Sequence, residues 1–226
     1  MRFLHAADLH LDAQLKGLDG LAGPAAETLR MATRTAFENL VTLAIRERVD
    51  FVVIAGDLFD REWNEIKPWL FAKQQFLRLQ QAGIRVFLIR GNHDFRREES
   101  QRLVWPDNVH EFGSEAASTV ECPDLHVALH GQSFGSREVK EDLAEAYPDP
   151  LPGAFNIGLL HTSLSGSAEH ETYAPTRPEL LALKGYDYWA LGHVPTHRIE
   201  REEPAIVFPG CTQGRHENES GPEGCV

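Results

Sequence analysis

Three short apolar runs near the start of the chain, Arg2–Ala7, Phe51–Ala55 and Val86–Ile89, each stop at residues able to hold a cation or move a proton. The first runs into Asp8-Leu9-His10, the second into Gly56-Asp57-Leu58-Phe59-Asp60, and the third into Gly91-Asn92-His93-Asp94. Helical spacing separates them. One helix is predicted from Pro24 to about Arg48, with Leu29, Ala36, Leu40, Leu43 and Ala44 in register, after a loop containing Gly17, Gly20 and Gly23. A second is predicted from about Pro68 to Gln81, stopped by Gly83. A βαβαβ order predicts parallel strands with right-handed crossovers, so all three strand ends share one edge of a sheet. Open α/β sheets carry their chemistry on that edge.

Beyond Trp105 the texture changes. Val109–Phe112, Ser118–Glu121 and Leu125–Leu129 are short β-like runs divided by turn residues, which predicts antiparallel strands. Ser136–Tyr147 reads as a helix, and Phe155–Leu160 as a strand ending at His161. A loop with His170 and Tyr173 leads to a short helix over Pro178–Leu183. Strands then follow over Tyr186–Leu191, ending at Gly192-His193, and over Ala205–Phe208, ending at Pro209-Gly210. The tail from Gly221 to Val226 reads as the entrance to a further strand.

A chain of 226 residues can bury a sizeable core as one large domain or two small ones. Its net charge of −12 argues against a broad basic surface that wraps nucleic acid. A compact site whose positive charge comes from metal ions remains open. Three scattered cysteines without a CxxC pair fit a reducing cytoplasm rather than a disulfide framework. Asp8 comes too early for a secretory signal, and no apolar run approaches the roughly 20 residues of a membrane span.

Asp8, His10, Asp57, Asn92, His161 and His193 all fall just after predicted strands. Singly each has an ordinary explanation: Asp8 in a turn cap, Asp57 in an Asx-turn, His161 as a core histidine. Their coincidence at successive strand ends favours a metal centre. Carboxylate, imidazole and amide oxygen together suit Mn, Fe or Zn. A carboxylate such as Asp57 can bridge two ions, and ions about 3.5–4 Å apart clamp a phosphoryl group.

The motifs Asp8-Leu-His10, Gly56-Asp57, Gly91-Asn-His-Asp94, His161 and Gly192-His193 resemble those of the calcineurin-like metallophosphoesterases. His5-Ala-Ala-Asp-Leu-His-Leu-Asp12, Leu88-Ile-Arg-Gly-Asn-His-Asp94, Gly158-Leu-Leu-His-Thr-Ser163, Tyr186-Asp-Tyr-Trp-Ala-Leu-Gly-His193 and Phe208-Pro-Gly210 with Gln213-Gly-Arg-His216 are similar to the SbcD/YhaO-type DNA-repair exonucleases. The resemblance implies an α/β fold, a four-layer α/β/β/α sandwich, with two divalent ions, usually manganese. It implies that Asp8, His10 and Asp57 hold the first ion, and that Asp57, Asn92, His161 and His193 hold the second. His93 would be the catalytic histidine, oriented by Asp94. It further implies a DNA substrate, an SMC-like ATPase partner, a homodimer, and a C-terminal cap region beyond residues 1–226.

Two positions depart from the pattern. Asp60 stands where many relatives have a histidine tied to nuclease action, although the YhaO-like branch tolerates Asp there. In Gly192-His-Val-Pro195 the family expects Gly-His-x-His, and Pro195 has no donor atom. His197, two residues on, can substitute only if the backbone shifts. Arg90, Arg96, Arg97 and Arg102 flank the active loop as candidate phosphate contacts, or as an ordinary solvated loop. Three functions follow: metal-dependent hydrolysis of DNA, hydrolysis of a small phosphodiester or phosphomonoester, or a non-catalytic scaffold for an ATPase.

Overall fold

The computed structural model describes residues 1–13, 28, 31–60, 66–95, 104–164, 173–215, 219 and 221–226. Strand alternation explains its layers. On β2 (Phe51–Ala55), Val52 and Ile54 share a core with Phe37, Leu40, Val41 and Ala44 of α1 (Ala32–Glu47) and with Phe76 and Leu79 of α2 (Lys67–Gln81). Phe51 and Val53 turn the other way and share a second core with Leu129, Ile157, Leu159 and Ala190. Val86 with Leu88, and Phe87 with Ile89, repeat this division on β3 (Arg85–Ile89). Both faces are therefore covered, which is why these runs are continuously apolar.

β1 (Phe3–Ala6), β2, β3 and β4 (Val109–Glu111) form a parallel sheet in that order. A second sheet contains β5 (Ser118–Cys122), β6 (Val127–Gly131), β7 (Phe155–His161), β8 (Tyr188–Gly192), β9 (Arg198–Arg201) and β10 (Ala205–Phe208), in the order β5-β6-β7-β8-β10-β9. Its outer face packs Trp189, Leu191, Ile206 and Phe208 with Leu181 of α3 (Pro178–Leu183). The result is helices, sheet, sheet and short helix in four layers, with the main seam between the sheets. Among the described residues no helix is long and apolar enough to cross a membrane.

Several expectations need correction. Of the three runs expected to be antiparallel, β5 and β6 do pair that way, but β4 joins the first sheet parallel to β3; further along, β6–β7, β7–β8 and β8–β10 are parallel and β9–β10 is antiparallel. The connections over 132–154 and through α3 return the chain to the same end of the sheet. Instead of a helix over Ser136–Tyr147 there is one 3-10 turn, Leu143–Ala146, where the Asp142 carboxylate accepts the Ala144 N–H at 2.9 Å. The stretch before it is otherwise engaged, since the Val139 carbonyl accepts the Ala174 N–H at 2.7 Å. β9 escaped sequence reading because Arg-Ile-Glu-Arg is exposed and charged, as an edge strand tends to be. The expected helix start at Pro24 lies outside the described residues; α1 is described from Ala32.

Candidate dinuclear metal centre

Parallel strands from both sheets end on one rim, and every proposed donor lies there. β1 delivers Asp8 and His10, β2 delivers Asp57 and Asp60, and β3 delivers Asn92, His93 and Asp94. β7 ends in His161, and β8 runs into His193. After β1 and β2 the two loops run side by side: Asp8 N–H donates to Gly56 O at 3.1 Å, and His10 N–H to Asp57 O at 3.0 Å. To stay paired while turning, the backbone enters the left-handed region at Asp8 (φ 54°), His10 (φ 44°), Asp57 (φ 53°) and, on β8, His193 (φ 101°). Each such residue costs of order 1–3 kcal/mol, a strain that clusters at functional sites.

His161 is the most constrained donor. Its Nδ1 donates to Ala55 O at 2.9 Å, which turns Nε2 toward Asn92 Oδ1 at 3.0 Å and Asp57 Oδ2 at 3.4 Å. Three glycines make room for the ring. A Cβ on Gly56 would lie 2.4 Å from His161 Nδ1, and one on Gly192 would lie 2.0 Å from Ala55 O. A Cβ on Gly91 would lie 2.3 Å from Asp57 Oδ1 and 2.6 Å from His161 Nε2, inside the donor cluster itself. Imidazole nitrogen and two oxygens thus converge on one point, with separations suited to donors around a single ion at about 2.0–2.2 Å. The residues fit the expected second ion. His193 places its ring edge-on to His161, centroids 5.4 Å apart, and its N–H donates to Asp8 Oδ2 at 2.9 Å.

The first position is less complete. His10 is buried, with Nε2 3.9 Å from Asp8 Oδ1 and 3.8 Å from Asp57 Oδ2, and its Nδ1 has no hydrogen-bond partner. A buried imidazole facing two carboxylates at these distances fits a cation held by Asp8, His10 and Asp57. Pro195 adds no donor, and His197 does not replace it: its Nδ1 donates to Phe208 O at 3.0 Å and the residue is exposed. We therefore expect the second position to fill before the first. Pro195→His should raise first-position affinity by about 10–100-fold, on the scale known for metal-supporting residues. His197→Ala should leave it unchanged. Calorimetric Mn²⁺ titration checks both, and equal filling of the two positions in the unaltered protein refutes the asymmetry.

The expected role of Asp94 is corrected. Its carboxylate accepts Gly91 N–H at 2.6 Å and Leu58 N–H at 2.7 Å, so it pins the β2 and β3 loops together rather than orienting His93. The partner of the His93 ring is Asp60, with Nδ1 3.0 Å from Oδ1. The signal is present in the sequence: Asp60 closes the Gly56-Asp-x-x-Asp60 run, a second carboxylate on the same loop as Asp57. Arg90 is also corrected. It pairs with Glu111, which takes the Trp105 indole N–H at 2.6 Å, and is not a free phosphate contact. Arg96, Arg97, Arg102 and His170 lie outside the described residues.

Burial and crowding set the electrostatics. Burial disfavours the His161 cation, yet the charge and hydrogen bond of Asp57, with Asp8 and the Ala55 carbonyl, push it up to about 9. Burial likewise disfavours the Asp57 anion, but His161, His10 and His93 hold it well below the usual carboxylate range. Asp8 is pushed up to about 7, chiefly by burial, and His10 down to about 3 by the same cause. Without metal, a proton on His161 occupies the place of a cation. From pH 6.5 upward, the folded state gives up that proton near 9 and the Asp8 proton near 7, so it loses stability as pH rises. Melting temperature in chelator should fall from pH 6.5 to 9. Excess Mn²⁺ should reverse the trend, because a metal ion favours deprotonated donors.

These features define a class: an α/β sandwich with a two-cation carboxylate–imidazole centre at parallel strand ends. Residues 1–197 match the family model of the calcineurin-like phosphoesterases, and the chain belongs to that family. Its members use a dinuclear divalent metal site. The chain is 40% identical over 228 residues to the uncharacterized metallophosphoesterase YhaO of Bacillus subtilis, covering 99% of this chain and 56% of that protein. It is 31% identical to the DNA double-strand break repair protein Mre11 of Methanopyrus kandleri (96% and 49% covered), and 37% identical to that of Aeropyrum pernix (92% and 53%). The chain thus spans about half the length of these relatives. The crystal structure of TT1561 from Thermus thermophilus shares the fold, with TM-score 0.53 at 14% identity over 93% of this chain and 90% of that one.

Proposed function

We propose that this chain is the hydrolytic part of a DNA phosphodiesterase of the repair-exonuclease type. The observation that carries the chemistry is the Asp60–His93 pair, 3.0 Å apart, beside donors converging from two sheets. Two bound divalent ions supply a nucleophile at neutral pH and charge for the phosphoryl oxygens. Asp8, His10 and Asp57 would hold the first, and Asp57, Asn92, His161 and His193 the second. His93 stabilises charge at the phosphorus and gives a proton to the leaving 3′-oxygen from Nε2, while Asp60 on Nδ1 fixes its tautomer. Asp94 supports the loop that presents His93.

DNA as substrate, manganese as the ion and an SMC-like ATPase as partner rest on likeness to the repair nucleases, among them two proteins named for double-strand break repair. The test is hydrolysis of single-stranded DNA, bis-p-nitrophenyl phosphate and a cyclic nucleotide, each with Mn²⁺ and with EDTA. Mn²⁺-dependent DNA cleavage is the expected result. Cleavage of only the small esters would keep the chemistry and remove the DNA assignment. Inertness toward all three would favour the scaffold reading, for which Pro195 is the supporting feature.

A further inference from the structure

Neither the metal donors nor the Asp60–His93 pair accounts for Arg215. It lies on the loop that follows β10, and its side chain is buried except for 24% of its surface. One guanidinium nitrogen approaches Asp60 Oδ1 at 3.5 Å and the other approaches Glu219 Oε1 at 3.4 Å. The Arg215 backbone N–H also donates to Glu219 Oε2 at 2.7 Å, and the Glu219 side chain is only 6% exposed. A buried carboxylate thus grips both the main chain and the side chain of this arginine.

Its location is informative. Cys211 N–H donates to Pro195 O at 2.9 Å, and His197 donates to Phe208 O at 3.0 Å, so this loop is tied to the segment that lacks the expected imidazole. The guanidinium is close enough to lower the proton affinity of both Asp8 and His10, which are donors of the first position. Its remaining N–H groups have no acceptor among the described residues. A planar guanidinium offers five donors in a rigid fork that matches phosphate geometry. A structural role alone would be served by the contact with Glu219 and does not require the group to reach Asp60.

We propose that Arg215 is the phosphate-binding residue of this centre, its guanidinium held by Glu219 and Asp60 so that it takes a non-bridging oxygen of the substrate on the first-metal side. This rests on the phosphoester-hydrolase reading of the site and not on DNA being the substrate. It also explains how a first position short of one imidazole can still present positive charge to a phosphoryl group.

Binding of inorganic phosphate to the full chain loaded with Mn²⁺, measured by calorimetry, tests it. Arg215→Gln should weaken phosphate binding at least about tenfold, the loss expected for a charge-assisted hydrogen bond. Arg215→Lys should recover part of it, and Glu219→Gln, which frees the guanidinium without removing it, should give an intermediate loss. Mn²⁺ stoichiometry and melting temperature should stay near the unaltered values in the Lys and Glu219 variants, so a folding defect in the Gln variant leaves the result decidable. Unchanged phosphate affinity in Arg215→Gln, or a loss that simply follows loss of Mn²⁺, overturns the proposal. Phosphate binding is read without turnover, so failure of the DNA assignment would remain separate from failure of this one.

Discussion

Replacing His93 by alanine is expected to lower kcat by about 10²–10⁴-fold, the usual contribution of a general acid or base, while both ions stay bound. The expectation follows from where the ring lies. Its Nδ1 is committed to Asp60 at 3.0 Å, and the cluster expected to hold the second ion is built from Asp57, Asn92 and His161 without it. The His93 backbone N–H donates to Asp57 Oδ1 at 2.9 Å, and that bond survives the substitution. Asp60→Asn should give a smaller loss, because the ring keeps a neighbour but loses the carboxylate that fixes its tautomer and orientation. Steady-state kinetics with metal analysis on both variants decides the matter. Loss of metal from the His93 variant would show that the ring is a ligand and not an acid.

Gly91→Ala should have an effect of comparable size by another route. The new methyl carbon would sit 2.3 Å from Asp57 Oδ1 and 2.6 Å from His161 Nε2, closer than non-bonded atoms approach. Neither neighbour can yield cheaply. Asp57 is held by the His93 N–H, and the His161 ring is fixed by Ala55 and crowded by Gly56 and Gly192. Overpacking of this kind costs about 1–3 kcal/mol. In a chain of this size that is a fall in melting temperature of roughly 2–4 °C per kcal/mol. The larger consequence is chemical: the methyl group occupies the point where the donors converge, so second-position metal and activity should both be lost. Full Mn²⁺ content in Gly91→Ala would mean that the ion sits elsewhere.

How far the sequence could be read depended on how locally each feature is encoded. β1, β2 and β3 were legible because strands buried on both faces are unbroken apolar runs, and the donors follow them directly. Beyond the antiparallel β5–β6 pair, strand direction in the second sheet was not legible, because it depends on where the long connections return the chain, which no local pattern records. The Ser136–Tyr147 stretch misled for a related reason: its helical composition gave way to the bond between Val139 and Ala174, a contact 35 residues apart in sequence. At the site, residue types and positions pointed to the rim, but pairings did not follow from adjacency. Asp94, next to His93 in sequence, serves the backbone, whereas Asp60, on the loop after β2, serves the ring. Arg215 stood in the Gln213-Gly-Arg-His216 motif, but its role was not legible, because its pairing with Asp60 joins the loop after β10 to the loop after β2 in the other sheet.

Asp8, His10, Asp57 and Asn92 come from one sheet, and His161 and His193 from the other, so the centre straddles the seam between two layers. Away from it, the seam is held by apolar packing of Phe51, Val53, Phe87 and Ile89 against Leu129, Ile157 and Leu159. Near the rim it is fastened by hydrogen bonds as well: the His5 ring nitrogens lie 3.0 Å from Tyr188 Oη and 3.0 Å from Leu191 O, the His161 ring donates to Ala55 O, and the His193 N–H donates to Asp8. An ion between Asp57 and His161 is then a rivet through two plates, with His5 as the bolt beside it. Loading should stiffen a joint that the apolar seam and these hydrogen bonds already close, so that force applied across the seam meets its greatest resistance at the rim, where the chemistry is.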